Sequence, residues 1–278
     1  MGKTRARLLS QAEVRDFRKT VYACRRAYGR PDLPWRKTSS PYRILVSEFM
    51  LQQTQVPRVI EKYGAFLRRF PDFESLAKAP LRDVLRAWSG LGYNRRALHL
   101  RETARVVLSE HEGKLPADLS LLRSLPGIGQ ATASAVAAFA FGEGHPFVET
   151  NIRTVFIHHF FEGRKRVSDG DILPLVEQTL DHNDPRAWFQ SLMDYGVALK
   201  KKYPNPSRRS AHHMRQGRFE GSTRQARGMI VSALVKGPLS ESELARITGM
   251  SLVSLRGLMR RLERDGMIVT RRGKARIA

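Results

Sequence analysis

The chain has 278 residues, which exceeds the roughly 100 to 200 residues of a typical domain, so the sequence predicts two or three compact units. Its apolar content of 41% is ordinary for a globular protein, and without an apolar run of about 18 residues it predicts no membrane span. The formal net charge of +23 indicates a polyanionic partner. Nucleic acid is the usual one, and a ribosomal or membrane-surface role is the alternative.

The positive charge is concentrated at the two ends of the sequence. Residues 201–278 contain 18 Lys and Arg against 5 Asp and Glu, a net charge of +13, and residues 1–40 contain 11 against 3, a net charge of +8. Cys24 is the only cysteine, which excludes a disulfide, a four-cysteine zinc site and a cysteine-ligated iron–sulfur cluster within one chain. The basic N-terminal stretch lacks the apolar core of a secretory signal, so the protein is expected in the cytoplasm, associated with the nucleoid.

Helical patterns dominate the sequence from residue 39 onward. Ser40 is a suitable N-cap, Pro41 fits a first helical turn, and apolar residues recur at Leu45, Phe49 and Val56. Glycine and proline turn signals separate the helical patterns, and no alternating strand is predicted before residue 266. The body of the protein is therefore predicted to be all-α. Further helices are predicted over residues 63–69, 76–87, 96–110, 121–125, 131–141 and 152–161.

A polar, basic stretch, residues 201–222, is predicted to be a linker that precedes a separate domain. Three helical patterns and a short hairpin then predict a winged helix-turn-helix over residues 223–278, in which a capping box at Ser240 and Glu243 opens the second helix. Such a domain places its third helix in a DNA groove, and the alternative is a winged helix used for protein contacts. The basic side chains that this helix offers to phosphates or base edges are Arg256, Arg260, Arg261 and Arg264.

The segment Leu125-Pro126-Gly127-Ile128-Gly129 lies between two predicted helices. Its glycines allow a phosphate to approach backbone N–H groups at the start of the helix that begins near Gln130, where the helix dipole favours an anion. The segment therefore predicts a phosphate contact that does not read sequence. An ordinary turn between helices is the alternative.

Three strings carry a specific resemblance: Ser47-Glu-Phe-Met-Leu-Gln-Gln-Thr-Gln-Val56, Trp88-Ser-Gly-Leu-Gly-Tyr93 and Leu125-Pro-Gly-Ile-Gly129. Their order and approximate spacing resemble the adenine DNA glycosylase and endonuclease III branch of the helix-hairpin-helix (HhH-GPD) superfamily. The resemblance implies a two-lobed glycosylase fold in which a six-helix barrel spans residues 41–145. The second lobe is expected from residues 1–40 together with residues 146–200, and DNA is expected to bend at the cleft between the lobes.

The resemblance also implies roles for four residues and places Asn151 in the catalytic site with them. Glu48 matches the general acid, Glu149 matches the family's aspartate ahead of an Asn-hydrophobic-basic string that includes Asn151, Gln53 matches a wedge residue, and Tyr93 matches an aromatic that inserts beside the opposing base. Two carboxyl groups suit the reaction, because one protonates the departing base and the other stabilises the oxocarbenium-like sugar.

Three of these residues have a structural alternative. A glutamate before a helix, such as Glu149, is usually a cap. A lone glutamate in an amphipathic helix usually faces solvent, although desolvation of Glu48 among apolar neighbours would raise its pKa toward that of a general acid. Tyr93 is alternatively a packed turn aromatic.

Three departures from the family pattern refine the expected activity. Ala131 occupies the position where bifunctional members have a lysine that attacks the sugar, so a monofunctional enzyme that uses water and leaves an abasic site is expected. No cluster cysteines follow Gly196, so no cofactor is expected, while a monovalent cation at the hairpin is left open. The winged helix replaces a β-rich domain that examines 8-oxoguanine, and Glu149 is one methylene longer than aspartate.

The expected function is base excision repair by a monofunctional DNA glycosylase that flips out and removes a mispaired or modified base. Adenine is the leading choice, and uracil, mismatched thymine or another modified pyrimidine is the rival. A non-catalytic DNA-binding sensor or regulator is the alternative class. The expected partner is double-stranded DNA that contains such a base, the protein is expected to be monomeric, and no membrane association is expected.

Overall fold

The computed structural model describes residues 7–214 and 217–278, which are mostly helical. Short 3-10 turns at Pro34–Arg36 and Pro206–Arg209 and a π turn at Ala137–Phe141 supplement the regular elements. The helices are α1 Gln11–Tyr28, α2 Pro41–Leu51, α3 Val56–Arg69, α4 Phe73–Lys78, α5 Leu81–Ala87, α6 Arg95–Glu110, α7 Leu119–Ser124, α8 Gln130–Val136, α9 Thr150–Phe160, α10 Asp169–Thr179, α11 Pro185–Lys202, α12 Thr223–Lys236, α13 Glu241–Thr248 and α14 Leu252–Arg264, and the strands are β1 Leu239–Ser240, β2 Ile268–Arg271 and β3 Lys274–Ile277.

The chain divides into two compact units, each formed from separate stretches of sequence. The first unit contains Met1–Ile44, Ala117–Arg123 and Ile128–Arg215, and the second contains Leu45–Pro116, Ser124–Gly127 and Gln216–Ala278. These boundaries differ from the predicted partition into residues 41–145 and residues 1–40 plus 146–200. Within the described residues, no helix is both long enough and apolar enough to cross a membrane.

The core of the first unit is built from α9 and α11, with α1 packed against α11. Phe17 of α1 makes edge contacts with Phe156 and Trp188, whose ring centroids lie 5.3 and 6.0 Å away. Helix α1 lies outside the predicted elements, although Ser10 and Glu13 form a complete capping box at its start. The N-terminal stretch therefore supplies a full helix to this unit.

A buried carboxylate ties the connection after α1 to α11. Asp194, 2% exposed, accepts hydrogen bonds from Arg30 Nε at 2.6 Å and from Arg36 Nη1 at 2.6 Å. Burial alone raises the pKa of Asp194, but the hydrogen bonds and charges of Arg36 and Arg30 outweigh burial and hold that pKa below its usual value. The ionised carboxylate thus serves as a structural link within the first unit.

The predicted linker, residues 201–222, is folded over its first half, which corrects that prediction. Helix α11 continues to Lys202, and Arg209 in the following turn donates hydrogen bonds to the carbonyl oxygens of Phe161 at 2.6 Å and Ile157 at 3.0 Å. Ser210 forms a bridge with Val167. One of the basic residues that suggest a linker, Arg209, thus caps the C-terminal end of α9.

The second unit combines α3–α6 with the whole C-terminal segment. Helix α4 packs on α6, Phe66 of α3 lies 5.8 Å from Trp88 between ring centroids, and α12 packs on α5. Helices α12, α13 and α14 with strands β1, β2 and β3 follow the element order of a winged helix-turn-helix. The C-terminal segment therefore shares a compact unit with the helices that precede it.

The sheet of this segment contains three antiparallel strands in the order β1-β3-β2. The predicted hairpin is present, with Ile268 opposite Ile277 and Arg271 opposite Lys274. The expectation of no strand before residue 266 is wrong, because β1 pairs Leu239 with Ala275. A two-residue strand is too short to show the alternation by which strands are recognised in a sequence.

Candidate active site

Glu149 is the N-cap of α9 in the first unit. Its Oε1 accepts hydrogen bonds from the backbone N–H groups of Asn151 at 2.7 Å and Ile152 at 2.8 Å, and its Oε2 accepts from Asn151 Nδ2 at 3.3 Å. The helix N-terminus favours a negative charge at this position. The capping alternative is therefore confirmed, and the same bonds orient the half-buried carboxylate rigidly.

Asn151 is held in turn by Lys200 of α11. Lys200 Nζ donates to Asn151 Oδ1 at 2.8 Å, so Glu149, Asn151 and Lys200 form one hydrogen-bonded row. Burial lowers the pKa of Lys200, while the negative charge of Glu149 acts in the opposite direction. A cation is thus kept in a partly desolvated position one side chain away from the carboxylate.

Gly196 allows α11 to approach this row. A Cβ atom at residue 196 would lie 2.4 Å from the carbonyl oxygen of Asn151 and 2.7 Å from its Cβ. Gly196 and Lys200 are four residues apart on one face of α11, which presents both to the start of α9. Neither contact was predicted from the sequence, although the spacing of a glycine and a lysine on one helix face is a signal that could have suggested them.

Glu48 lies on α2 in the second unit. It is half-buried, and its neighbours in sequence, Ser47 and Phe49, are buried. Glu48 and Glu149 belong to different units. Their pairing across a bound nucleotide therefore remains a prediction.

The two glycines of the hairpin have different roles. Gly127 has φ +77°, and a Cβ atom there would lie 2.6 Å from His99 Cβ, so both conformation and packing require glycine. Gly129 is the N-cap of α8, and a Cβ atom there meets no atom within 4 Å. Of the two positions, Gly129 is therefore the one with open space in front of its backbone.

The remaining hairpin residues support this geometry. Leu125 is buried, at 2% exposure, and Thr103 Oγ1 donates to the carbonyl oxygen of Pro126 at 2.8 Å. Gln130 is exposed, and its Nε2 donates to Ser134 Oγ at 3.3 Å. Leu125 thus anchors the turn, while Gly129 and Gln130 lie at its surface.

The predicted wedge residue, Gln53, and the predicted inserting aromatic, Tyr93, both lie on strained loops of the second unit. Gln53 has φ +53° and Tyr93 has φ +47°, and both side chains are exposed. Non-glycine residues rarely adopt such angles, and the strain persists only where surrounding contacts fix it. The two loops are tied together directly, because Thr54 Oγ1 donates to the carbonyl oxygen of Leu91 at 3.1 Å.

Arg96 fixes both loops and was not predicted from the sequence. Its side chain is 8% exposed, and its guanidinium lies 5.4 Å from the Trp88 ring centroid and 5.6 Å from that of Tyr93. Burial lowers the pKa of Arg96 to about 10, which leaves it charged at neutral pH. Its hydrogen-bond acceptors are the carbonyl oxygens of Phe49 at 2.7 Å, Met50 at 2.9 Å, Gln52 at 2.5 Å, Leu91 at 3.2 Å and Gly92 at 3.1 Å, and Thr54 Oγ1 at 2.8 Å.

The arginines predicted for a DNA groove lie along α14. All four, Arg256, Arg260, Arg261 and Arg264, are exposed. Arg256 Nε also donates to Glu241 Oε2 at 2.8 Å, so this side chain must exchange an internal ion pair for any phosphate. Exposed pairs of this kind contribute little stability, and the exchange is inexpensive.

Comparison with known protein families gives a match over part of the chain. Residues 46–170 match the family described as HhH-GPD superfamily base excision DNA repair protein. This stretch contains Glu48, both strained loops, the hairpin, Glu149 and Asn151, whereas Lys200 lies outside it. Residues 46–170, a little under half of the chain, are therefore similar to this superfamily.

Two sequence relatives of the chain are adenine DNA glycosylases. The chain is 50% identical over 125 residues to the adenine DNA glycosylase of Mycobacterium tuberculosis (strain CDC 1551 / Oshkosh). The aligned region covers 45% of this chain and 41% of the relative. It is 34% identical over 187 residues to the adenine DNA glycosylase of Buchnera aphidicola subsp. Baizongia pistaciae, covering 66% of this chain and 52% of the relative. The chain thus spans about half the length, or less, of these curated relatives.

A solved structure of a thermostable thymine-DNA glycosylase is also similar. It has a TM-score of 0.59 and 27% sequence identity and covers 66% of this chain and 86% of that chain. The chain is thus similar in sequence to adenine DNA glycosylases and in structure to a thymine-DNA glycosylase. Fold similarity alone therefore does not select the base that is removed.

Proposed function

We propose that this protein is a monofunctional DNA glycosylase that flips a mispaired or modified base out of duplex DNA and removes it by hydrolysis. Adenine in a mispair is the leading substrate, since the relatives described above that are at least 30% identical to the chain are adenine DNA glycosylases. The product is an abasic site in an unbroken strand. No resident cofactor is required, because water is the nucleophile.

The observation that carries this proposal is the fixed carboxylate of Glu149. Two backbone N–H groups and Asn151 orient it at the start of α9. Cleavage of an N-glycosidic bond develops positive charge on the sugar, and an oriented anion stabilises that charge without reorganisation. Glu48, half-buried on α2, is the proposed acid that protonates the departing base.

The absence of a lysine nucleophile supports the monofunctional reaction. Ala131 is half-buried near the start of α8 and packs against the core of the first unit. A methyl group in this position cannot form a Schiff base with the sugar. Strand cleavage at the abasic site is therefore not expected from this residue.

A pyrimidine substrate is the second candidate. The similar thymine-DNA glycosylase structure favours it, and Glu149 in place of the family's aspartate weakens a direct transfer of adenine specificity. The non-catalytic alternative predicts affinity for damaged DNA without release of a base.

Single-turnover assays on duplexes with one defined lesion or mispair test the proposal. Adenine opposite guanine or 8-oxoguanine, uracil opposite guanine and thymine opposite guanine form the panel, and abasic sites are scored by strand cleavage after hot alkali. We expect cleavage only after alkali, fastest with an adenine mispair. Borohydride trapping of a covalent adduct as efficient as that of a lyase control would contradict the monofunctional assignment.

Glu48→Gln tests the acid, with Glu61→Gln as the matched control, since Glu61 is an exposed glutamate on α3 of the same unit. We expect the Glu48 variant to lose base release by about 100-fold or more while it retains DNA binding. Equal rates in the two variants would remove Glu48 from the mechanism. Binding without base release on every duplex, in the unaltered protein, would favour the non-catalytic alternative.

The winged helix is proposed to add electrostatic affinity for duplex DNA rather than to read sequence. Because α12 packs on α5 within one unit, single substitutions test this better than deletion. Arg260→Ala should weaken binding to unrelated undamaged duplexes equally and reduce the salt slope by about one. A loss confined to one sequence would instead indicate base reading.

A further inference from the structure

A cleft of about 1250 Å³ lies within the second unit. The loops of Gln53 and Tyr93 line one side, and α12 with the segment that precedes it lines the other. Arg86 bridges the two sides through a hydrogen bond from its Nη2 to the carbonyl oxygen of Val235 at 3.4 Å. The C-terminal segment thus supplies one wall of a cavity large enough for a nucleotide.

The cleft is strongly basic. Among its described lining residues, the one carboxylate is that of Asp265, which accepts a hydrogen bond from Arg227 at 2.7 Å and lies 3.7 Å from Arg95. The excess positive charge favours an anionic ligand. The basic residues of the lining are Arg58, Arg86, Arg95, Arg96, Arg224, Arg227 and Lys236.

Two exposed aromatic side chains lie in the same cleft. Phe219 is 60% exposed and Tyr93 is 38% exposed. Arg224 Nη1 donates to Tyr93 Oη at 3.3 Å, and its Nη2 donates to the carbonyl oxygen of Gly217 at 2.7 Å. Arg224 therefore holds the chain segment of Phe219 beside the strained loop of Tyr93.

Exposed aromatics among cations match the chemistry of unpaired nucleic acid. An unpaired base offers a π-face for stacking and a phosphate for arginine, whereas intact duplex keeps its bases stacked inside. We propose that this cleft binds an unpaired deoxynucleotide, whose base stacks on Phe219 and Tyr93 and whose phosphates contact Arg224 and the neighbouring basic residues. Such a nucleotide occurs in a single strand and also in a duplex with one unpaired position.

Fluorescence anisotropy with the full chain tests this proposal. The probes are a labelled oligothymidylate of about 12 nucleotides, a duplex with one bulged thymidine, and the same duplex fully paired. Phe219→Ala should weaken binding of at least one of the first two probes by about fivefold to a hundredfold, with little effect on the paired duplex. The unpaired probe that is affected identifies the source of the nucleotide, and Phe219→Tyr should restore its binding.

Arg224→Ala tests the phosphate contact, with Arg246→Ala as the matched control. Arg246 is exposed on α13 and is not part of the cleft lining, so both variants lose one positive charge. Arg224→Ala should lower the salt slope for the single strand by about 0.7. Arg246→Ala should leave that slope near the value of the unaltered protein.

Three results would overturn the proposal: no binding of either unpaired probe at low salt, equal affinity of Phe219→Ala and the unaltered protein, or equal losses in the two arginine variants. Thermal melting of each variant verifies that it is folded, and Phe219→Tyr provides a second variant with a minimal change of volume. Base release is not measured in any of these assays. Failure here therefore leaves the proposed glycosylase function standing, and failure of that function leaves this binding site open to test.

Discussion

Two regions of the candidate site are fixed in different ways. The Glu149 row of the first unit is a consequence of helix geometry, because the N-terminus of α9 supplies two N–H donors and Lys200 adds one contact through Asn151. The loops of Gln53 and Tyr93 in the second unit are irregular backbone, and one buried arginine satisfies their carbonyl groups. Helix N–H groups thus orient a carboxylate in one region, and a buried guanidinium fixes the backbone of two loops in the other.

Arg96→Met should have the largest effect. It leaves several buried carbonyl oxygens without donors, and the free energy of unfolding should fall by roughly 4 kcal/mol. Urea denaturation measures the loss. Arg95→Met, an exposed neighbour on α6, is the control, and a loss below about 1 kcal/mol for Arg96→Met would show that the loops do not depend on the guanidinium.

Asp194→Asn removes the buried charge of Asp194 and should lower the free energy of unfolding by about 3 kcal/mol at neutral pH, because Arg30 and Arg36 lose their anionic partner. The folded pKa of Asp194 is lowered, so this stability is present above the unfolded pKa near 3.9 and disappears as pH falls through the lower folded value. The difference in the free energy of unfolding between Asp194→Asn and the unaltered protein should therefore become smaller below about pH 4. Asp32→Asn, at a surface ion pair with Lys37, should show no such trend.

Glu149→Gln should reduce single-turnover base release by about 100- to 1000-fold, because the carboxylate charge is lost while the capping geometry is retained. Glu149→Asp keeps the negative charge, so its rate of base release should lie between the rates of Glu149→Gln and the unaltered protein. If circular dichroism shows that Glu149→Gln is folded and its rate of base release is unchanged, Glu149 is only a structural cap.

Lys200→Met should have the smallest effect, about a tenfold slower base release with stability nearly unchanged. Lys200 acts through Asn151, so it is a positioning residue. Its lowered pKa predicts that the rate of the unaltered protein declines at alkaline pH before the usual lysine value of 10.5, and that Lys200→Met lacks this decline. A pH profile of identical shape in both proteins would contradict the contact.

Local patterns predicted much of this architecture. The all-α body, the helix after Glu149, the hairpin at residues 266–277 and the capping box at Ser240 all depend on neighbouring residues and appear in the structure. The resemblance to the HhH-GPD superfamily is confirmed over residues 46–170. Roles assigned by resemblance to Glu48, Gln53 and Tyr93 remain predictions.

Other features depend on contacts between distant residues, which single-sequence patterns do not contain. Arg96 reads as one of several arginines at the start of α6, and its burial becomes visible only when the loops of residues 49–54 and 91–92 meet it. Lys200 reads as part of a basic run, although it reaches Asn151 across 49 positions. The linker prediction failed for the same reason, since Arg209 is recruited by the end of α9.

The packing of α12 on α5 has a consequence for modular design. Val231 and Leu234 of α12 and Leu85 of α5 are each at most 3% exposed, so the C-terminal segment and the helical body share one apolar core. A chimera in which another DNA-binding domain replaces residues 223–278 would lack α12 and would expose the apolar face of α5. Exchange of the C-terminal domain should therefore retain α12 and place the junction in the turn that follows it.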